Sequence, residues 1–223
     1  MSLVYLLLVY LFAATPMGLI LTTLWGNDVD LRLAGSGNIG TTNVARVFGW
    51  RIALTTLALD ASKGLLPVLL APVFGLEGIG WATAVAITAF LGHCYPVYLE
   101  FRGGKGVATS AGAMAAIAPI PTAIAALVWG GLLAISGRSS LASLCATLAL
   151  IAACAWLSLH ALPAILILAV GIVLTHTPNI RRLVAGEEAS VVRPVRLGTR
   201  KDGELTAEEA LAQGPAGGER GEW

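Results

Sequence analysis

The sequence predicts an all-α integral membrane protein, and three observations carry that prediction. Of its 223 residues, 57% are hydrophobic and only 12% charged, about half the roughly 25% charged share of an ordinary soluble domain. The apolar residues fall in long segments, most of them near the about 20 residues a helix needs to cross a bilayer. The charges gather in short polar stretches between those segments, so their positions say more than the formal net charge of +1. The reading is seven transmembrane helices in residues 1–188, with the N-terminus outside and the C-terminus cytoplasmic. A polar, disordered cytoplasmic tail, 189–223, is expected to follow.

The elements are expected as follows. Residues 4–24 form the first span and tolerate Pro16 and Gly18, as membrane helices do. Met1 opens it with no basic n-region or small-residue cleavage site, so it reads as a span and not as a signal peptide. Residues 26–51 are polar. Residues 52–71 make a second span carrying Asp60 and Lys63, and 72–80 a turn with Glu77. A third span covers 81–98, and a second polar loop covers 100–106. Residues 107–135 fit one long helix or a hairpin of two short ones. Pro119 and Pro121 at the middle favour the hairpin, and charge decides for it. With the hairpin, every Lys and Arg except Lys63 falls on one side, the cytoplasm under the positive-inside rule. Residues 137–140 form a third polar loop, 141–159 a span, 160–163 a tight turn and 164–175 the last span. In the tail, Thr206 and Glu209 have the spacing of a capping box.

The chemistry concentrates in the polar loops. Gly35, Gly37 and Gly40 let backbone N–H groups converge as in an anion-binding nest. Ser36, Asn38, Thr41, Thr42 and Asn43 add side-chain donors, and Arg46 offers a fork that matches phosphate. Gly35-x-Gly37-x-x-Gly40 matches the dinucleotide fingerprint in form, with Asp60 at the expected distance. No strand precedes it and Asp60 lies in an apolar helix, so that reading fails. Arg102-Gly103-Gly104-Lys105-Gly106 lacks the Lys-Ser/Thr pair of a P-loop, yet it sets two cations among glycines at a helix start, before Thr109 and Ser110. Arg138, Ser139, Ser140 and Ser143 open the helix after the third loop.

Asp60 and Lys63 stand one turn apart and read equally as a self-neutralising pair or a substrate contact. His93 reads as a core histidine or a site residue, His160 as interfacial, and His176, beside Asn179, as a base or phosphate ligand. Cys94, Cys145 and Cys154 are buried thiols without metal spacing. Three anion-attracting loops and a histidine on one side imply one or two phosphate-bearing substrates. Surface attraction to anionic lipid needs only basic residues, so the glycines and hydroxyls argue for a formed pocket. A transporter of small organic phosphates is the alternative, but it needs polar residues along a path across the bilayer. The outer halves of these spans are apolar and show no internal repeat. No metal, cofactor or nucleic acid is expected.

Several stretches resemble one family. Asp30-Leu31-Arg32-x-x-Gly35-Ser36-Gly37-Asn38-Ile39-Gly40-Thr41-Thr42-Asn43-Val44-x-Arg46 resembles the first motif of the bacterial acyl-phosphate:glycerol-3-phosphate acyltransferases of the PlsY type. Gly92-His93-x-x-Pro96 through Phe101-Arg102-Gly103-Gly104-Lys105-Gly106-Val107-Ala108-Thr109 resembles the second, and His176-x-x-Asn179-Ile180-x-Arg182 through Gly186-x-Glu188 the third. Thr41 stands where alanine is common, and the tail is longer than the family's. The His-x4-Asp motif of the acyl-CoA-dependent enzymes is missing.

The resemblance implies transfer of an acyl group from acyl phosphate to the 1-hydroxyl of glycerol-3-phosphate, giving lysophosphatidic acid and phosphate. This is the first step of phospholipid biosynthesis, at the cytoplasmic face of a bacterial inner membrane. It implies that Arg46, Lys105, His176 and Asn179 bind glycerol-3-phosphate, with Ser36 and Ser143 in the same pocket. The segment from Gly37 through Asn38, Gly40, Thr41 and Thr42 to Asn43 would hold the phosphate of the donor. Gly103, Gly104, Gly106, Thr109 and Glu188 join the substrate-binding set. The proton of the attacking hydroxyl goes to a phosphate oxygen or to His176, and the family favours the phosphate. Membrane lipid and functional coupling to the enzyme that makes acyl phosphate are the implied partners.

Overall fold

The computed structural model describes residues 1–25 and 29–191, and every regular element among them is a helix. The expectations for the tail past residue 191, including the Thr206 capping box, lie outside the described residues. The first span is two helices, α1 (Ser2–Ala14) and α2 (Met17–Leu24), meeting at 43°. A single helix through Pro16 was the expectation. Proline lacks the N–H the helical ladder needs and its ring collides with the preceding turn, so the helix breaks there.

Next come α3 (Thr41–Phe48) and α4 (Trp50–Leu70), joined through Gly49 in the left-handed region at φ 87°. A 3-10 turn (Ala71–Phe74) leads to α5 (Ile79–Cys94). The hairpin is α6 (Val107–Ile117) and α7 (Pro119–Ser136), hinged at Ala118. Pro119 opens α7, in the first turn, where a missing N–H costs nothing. Only α6 is short. Its 11 residues reach about 17 Å, roughly half a bilayer core, whereas α7 has 18 residues and is not the short helix expected. The chain continues through α8 (Ser139–Leu157), a 3-10 turn (Leu159–Ala161), α9 (Leu162–Thr175) and α10 (Thr177–Ala185), which turns 61° away from α9. Among the described residues four helices are long and apolar enough to cross a membrane, or six if each bent pair is one span. The amphipathic α3 and α10 were not separated from their loops in the sequence.

Small residues set the packing. A Cβ on Gly64 of α4 would fall on the Thr109 carbonyl of α6, and one on Gly112 of α6 on the Ala61 carbonyl of α4. Two backbones can meet this closely only where neither carries a side chain, the usual device where lipid supplies no hydrophobic drive between helices. Gly92 does the same for α5 against α1, since its Cβ would lie 2.5 Å from the Tyr10 carbonyl. The core between the helices includes Val85, Ala89, Phe90, Met114, Ile165 and Leu168. Leu7, Leu127, Leu148 and Val170 point outward and are exposed, as a lipid-facing surface requires. Tyr5 ties the start of α1 to the far end of α4, donating its hydroxyl to the Pro67 carbonyl at 2.6 Å and stacking on Phe74 at 4.8 Å.

Gly112→Leu is expected to lose about 2 kcal/mol or more by overpacking. Gly131→Leu, where an added Cβ meets nothing within 4 Å, is expected to stay within about 0.5 kcal/mol. Thermal unfolding of the detergent-solubilised protein compares them, and equal losses would contradict the close α4–α6 contact.

Candidate active site

The first polar loop is folded by its own side chains. Leu31 is fully buried under it, with Ile39, Val44 and Val191 around it. Asp30 accepts the Arg32 N–H at 2.9 Å and pairs with the Arg32 guanidinium at 2.7 Å, which holds its carboxyl below the usual range. Asn43, on the first turn of α3, reaches back across the loop. Its Oδ1 accepts the Ser36 N–H at 2.8 Å, and its Nδ2 donates to the Leu31 and Ala34 carbonyls at 3.1 and 2.8 Å. A Cβ on Gly35, at φ 63°, would strike that amide oxygen. Asn38 accepts the Gly40 N–H at 2.8 Å. Both amide hydrogens of Asn43 are therefore committed to the loop. Asn43 organises the loop while also lining the cavity described below.

The second loop is folded differently. The N–H groups of Gly103 and Gly104 bond the carbonyls of Cys94 and His93 at 3.0 and 3.1 Å. Side chains at Gly103, Gly104 and Gly106 would meet Pro96, the His93 ring and the Phe90 ring. These glycines serve close approach, and the N–H groups of Gly103 and Gly104 are not offered to a ligand. Thr109 is likewise structural, donating its hydroxyl to the Asp60 carbonyl at 3.0 Å. Gly103, Gly104 and Thr109, expected among the substrate-binding residues, thus have these groups engaged within the protein.

Four helix N-termini, those of α3, α6, α8 and α10, meet at one cavity of about 320 Å³. Each brings a partial positive charge and first-turn N–H groups without intrahelical partners. Ser36, Asn38, Gly40, Thr41, Thr42, Arg46, Lys105, Gly106, Ser143, His176, Asn179 and Glu188 line it, with Asn43 at its edge, whereas Gly37, Gly103, Gly104 and Thr109 stand off it. Away from the cations the wall is apolar, formed by Leu57, Ala125, Trp129, Ala146, Leu150 and Ile165. Along α8 the lining passes from Ser139, Ser140 and Ser143 to Thr147 and Leu150, about 16 Å of helix. The cavity has a polar mouth and an apolar depth.

Glu188 ties the mouth together. Its Oε1 accepts Ser140 Oγ at 2.6 Å and Asn179 Nδ2 at 2.7 Å, and its Oε2 accepts Arg182 Nε at 2.8 Å. Burial alone would raise its carboxyl, but these three donors and the Arg182 charge keep it below its ordinary value. As an acceptor-only group it orders the mouth and does not bind an anion itself. The strap after α10 also crosses the site, since Ala189 accepts Arg46 Nη2 at 2.8 Å and the Val191 N–H bonds the Gly137 carbonyl at 2.8 Å. Thr42 and Ser139 share a hydroxyl hydrogen bond at 2.8 Å that links α3 to α8.

The charges are tuned by burial. Lys105 falls to about 8, through desolvation, against Glu188 and with the neighbouring Arg182 and Arg46. Burial lowers Arg46 while Glu188 opposes it. His176, just past the end of α9, falls to about 4 through burial and then Lys105. Its Nδ1 lies 2.8 Å from the Ile172 carbonyl, which fixes the Nδ1–H tautomer and leaves the Nε2 lone pair free.

Among the described residues, three buried side-chain polar atoms have no hydrogen-bond partner: Arg46 Nε, Ser110 Oγ and Asn179 Oδ1. All three residues line this cavity. Such orphans are rare in folded proteins, and three in one cavity make it the candidate site. Ser110 and Trp129, whose Nε1 donates to Ser143 Oγ at 3.1 Å, were not singled out as site residues. The only signal for Ser110 was its position one turn into the helix after Lys105. Asp60 and His93 also reach the cavity. Lys63 donates to Asp60 Oδ1 at 2.7 Å and to the Thr15 carbonyl at the α1–α2 break, which gives the Asp60–Lys63 pair a structural role.

Comparison with known proteins follows the same lines. The family model described as glycerol-3-phosphate acyltransferase matches residues 3–186. A glycerol-3-phosphate acyltransferase of Methylorubrum populi is 46% identical over 188 residues, 83% of this chain and 91% of that protein. One of Solidesulfovibrio magneticus is 42% identical over 187 residues, 83% and 93% of the two chains. The crystal structure of PlsY, an integral membrane glycerol 3-phosphate acyltransferase, in its glycerol 3-phosphate form superposes with a TM-score of 0.77 at 35% identity. It covers 85% of this chain and 94% of that one. Its lysophosphatidic acid form gives 0.75 at 34% identity over the same shares. With the family model spanning nearly all of the described residues and the helices superposing on PlsY, this chain belongs to the glycerol-3-phosphate acyltransferase family.

Proposed function

We propose that this protein acylates the 1-hydroxyl of glycerol-3-phosphate with acyl phosphate as donor, releasing lysophosphatidic acid and inorganic phosphate. The single observation that carries the reading is the set of orphaned polar atoms, on Arg46, Ser110 and Asn179, in a cavity with a cationic mouth and an apolar depth. That shape suits an amphiphile with a phosphate at one end and a chain at the other.

Arg46 and Lys105 hold the glycerol-3-phosphate phosphate, and Asn179 Oδ1 accepts a hydrogen bond from its glycerol hydroxyls. Ser36, Asn38 and Thr42, with the first turn of α3 behind them, hold the donor phosphate, whose chain lies along Trp129, Ala146 and Leu150. Acyl phosphate is a mixed anhydride, already activated, so no covalent acyl-enzyme is required. The glycerol O1 attacks the carbonyl carbon, the carbon–oxygen bond to phosphate breaks, and the phosphate leaves. His176 is neutral and weakly basic, which favours the departing phosphate as acceptor of the hydroxyl proton and leaves His176 to orient the nucleophile through Nε2. Positioning and fixed charge do the rest of the catalysis.

The positive-inside rule sets the orientation. Arg46, Arg51, Arg102, Lys105, Arg138 and Arg182 belong to the cavity end of the helices, which therefore faces the cytoplasm. Tyr5, bonded to the opposite end of α4, puts the N-terminus outside. This amounts to seven crossings, with α6 the half-length one, in a bacterial inner membrane. The enzyme that makes acyl phosphate supplies the donor.

The first test supplies labelled glycerol-3-phosphate with palmitoyl phosphate or palmitoyl-CoA to protein in detergent or lipid. Lysophosphatidic acid is expected from the acyl phosphate alone, and Lys105→Ala is expected to lower kcat/KM about a hundredfold or more. Turnover with palmitoyl-CoA would contradict the donor assignment. The second test is pH. Because burial lowers Lys105 to about 8, its charge is lost as pH rises through that value, and kcat/KM for glycerol-3-phosphate falls with it. Lys105→Arg, whose guanidinium stays charged, is expected to remove that alkaline limb. A limb that survives the substitution belongs to another group.

A further inference from the structure

His93 has no part in the reaction as described, yet it stands directly beneath the loop that carries Lys105. It is 6% exposed, on the last turn of α5, between Asp60 of α4 and Gly104. Its Nδ1 is 3.7 Å from Asp60 Oδ1, and its Nε2 edge fills the space that a Cβ on Gly104 would need. The same turn of α5 fastens the loop through the backbone bonds of Gly103 and Gly104 to the Cys94 and His93 carbonyls. From above, Thr175 donates its hydroxyl to the Lys105 carbonyl at 3.0 Å. Asp60 is itself held by Lys63 at 2.7 Å.

A flat ring under a glycine acts as a stop. The missing Cβ lets the backbone rest on the ring, and the ring keeps the loop from sinking into the bundle. Deleting it would open a void of side-chain size next to the residue before Lys105. A displacement of about 1 Å in a binding group can cost up to about a hundredfold. We propose that His93, packed directly beneath Gly104, is a positioning residue that sets the height of the 103–106 loop and thereby places the Lys105 ammonium in the cavity. The proposal rests on the reading of Lys105 as a ligand of the glycerol-3-phosphate phosphate.

The test is a double-mutant cycle on the full chain with palmitoyl phosphate as donor, with thermal unfolding measured for every variant. His93→Ala is expected to raise KM for glycerol-3-phosphate about tenfold and to leave kcat within about threefold. Gly104→Ala is expected to raise it as well, because its methyl meets the ring. In His93→Ala/Gly104→Ala the methyl finds room, so KM should fall about tenfold below the product of the two single effects. His93→Gln, which refills the space, is expected to bring KM back to within about threefold of wild type.

Three results would overturn the proposal. The first is a KM within about twofold of wild type in His93→Ala, and the second is single effects that simply multiply. The third is a joint loss of kcat and unfolding temperature that His93→Gln does not rescue, which would make His93 a structural residue only. Failure of the site reading looks different. Lys105→Ala would then leave KM for glycerol-3-phosphate unchanged, while the His93–Gly104 coupling would persist in the unfolding temperatures.

Discussion

The ion pair of Asp60 and Lys63 is the interaction on which the rest of the bundle depends. An unpaired charge in an apolar interior costs tens of kcal/mol on an idealised basis, so the two residues had to meet, and one helical turn of α4 brings them to 2.7 Å. Each then reaches a different element. Lys63 bonds the Thr15 carbonyl where α1 breaks into α2, Asp60 faces His93 on α5, and the Asp60 carbonyl takes the Thr109 hydroxyl of α6. One residue along from each, Gly64 and Ala61 make the close backbone contacts with α6. The pair is thus the point where four helices register on α4.

Above that point the molecule solves a second problem, how to hold phosphate at the edge of an apolar solvent. It concentrates weak effects. Four helix N-termini, the buried Arg46, the half-buried Lys105 and a set of hydroxyls face one space, and Glu188 moderates the cations. The carboxylate draws three donors, keeping Ser140, Asn179 and Arg182 in fixed orientations before any substrate arrives. Preorganised donors of this kind need no rearrangement as charge develops, which makes them effective in a dry site. The three orphaned atoms are the complement of that order: groups already placed and facing the same cavity.

The lowered Lys105 and His176 follow from the same burial. A lysine near 8 is still charged at neutral pH, though largely withdrawn from solvent. A histidine near 4 stays neutral beside it, which avoids a third positive charge and keeps a lone pair directed into the cavity. Both values come first from burial in a pocket walled by α8 and α9, and then from the neighbouring cations crowded into it. The strap carrying Glu188 is what makes the crowding tolerable.

Much of this was legible in the sequence. Apolar segment lengths, the one-sided distribution of Arg and Lys, and glycine-rich loops next to helix starts led to the membrane class, the hairpin and the loops that form the site. These are local properties of composition and spacing. Other features needed the folded chain. The break at Pro16, the full length of α7 and the separate helices α3 and α10 depend on which backbone groups find partners across the bundle, as Thr15 does with Lys63. The division of labour within the motifs was also hidden. Asn43, Thr109 and the glycines at 103 and 104 have the residue types of a phosphate site, but their donors or surfaces are engaged by neighbours that only the folded loops and helices bring to them. Trp129 carried no signal of ligand type, and Ser110 and His93 only an ambiguous one, yet the helices turn all three to the cavity. Sequence fixes which groups are available, and only tertiary structure decides which of them remain unspent.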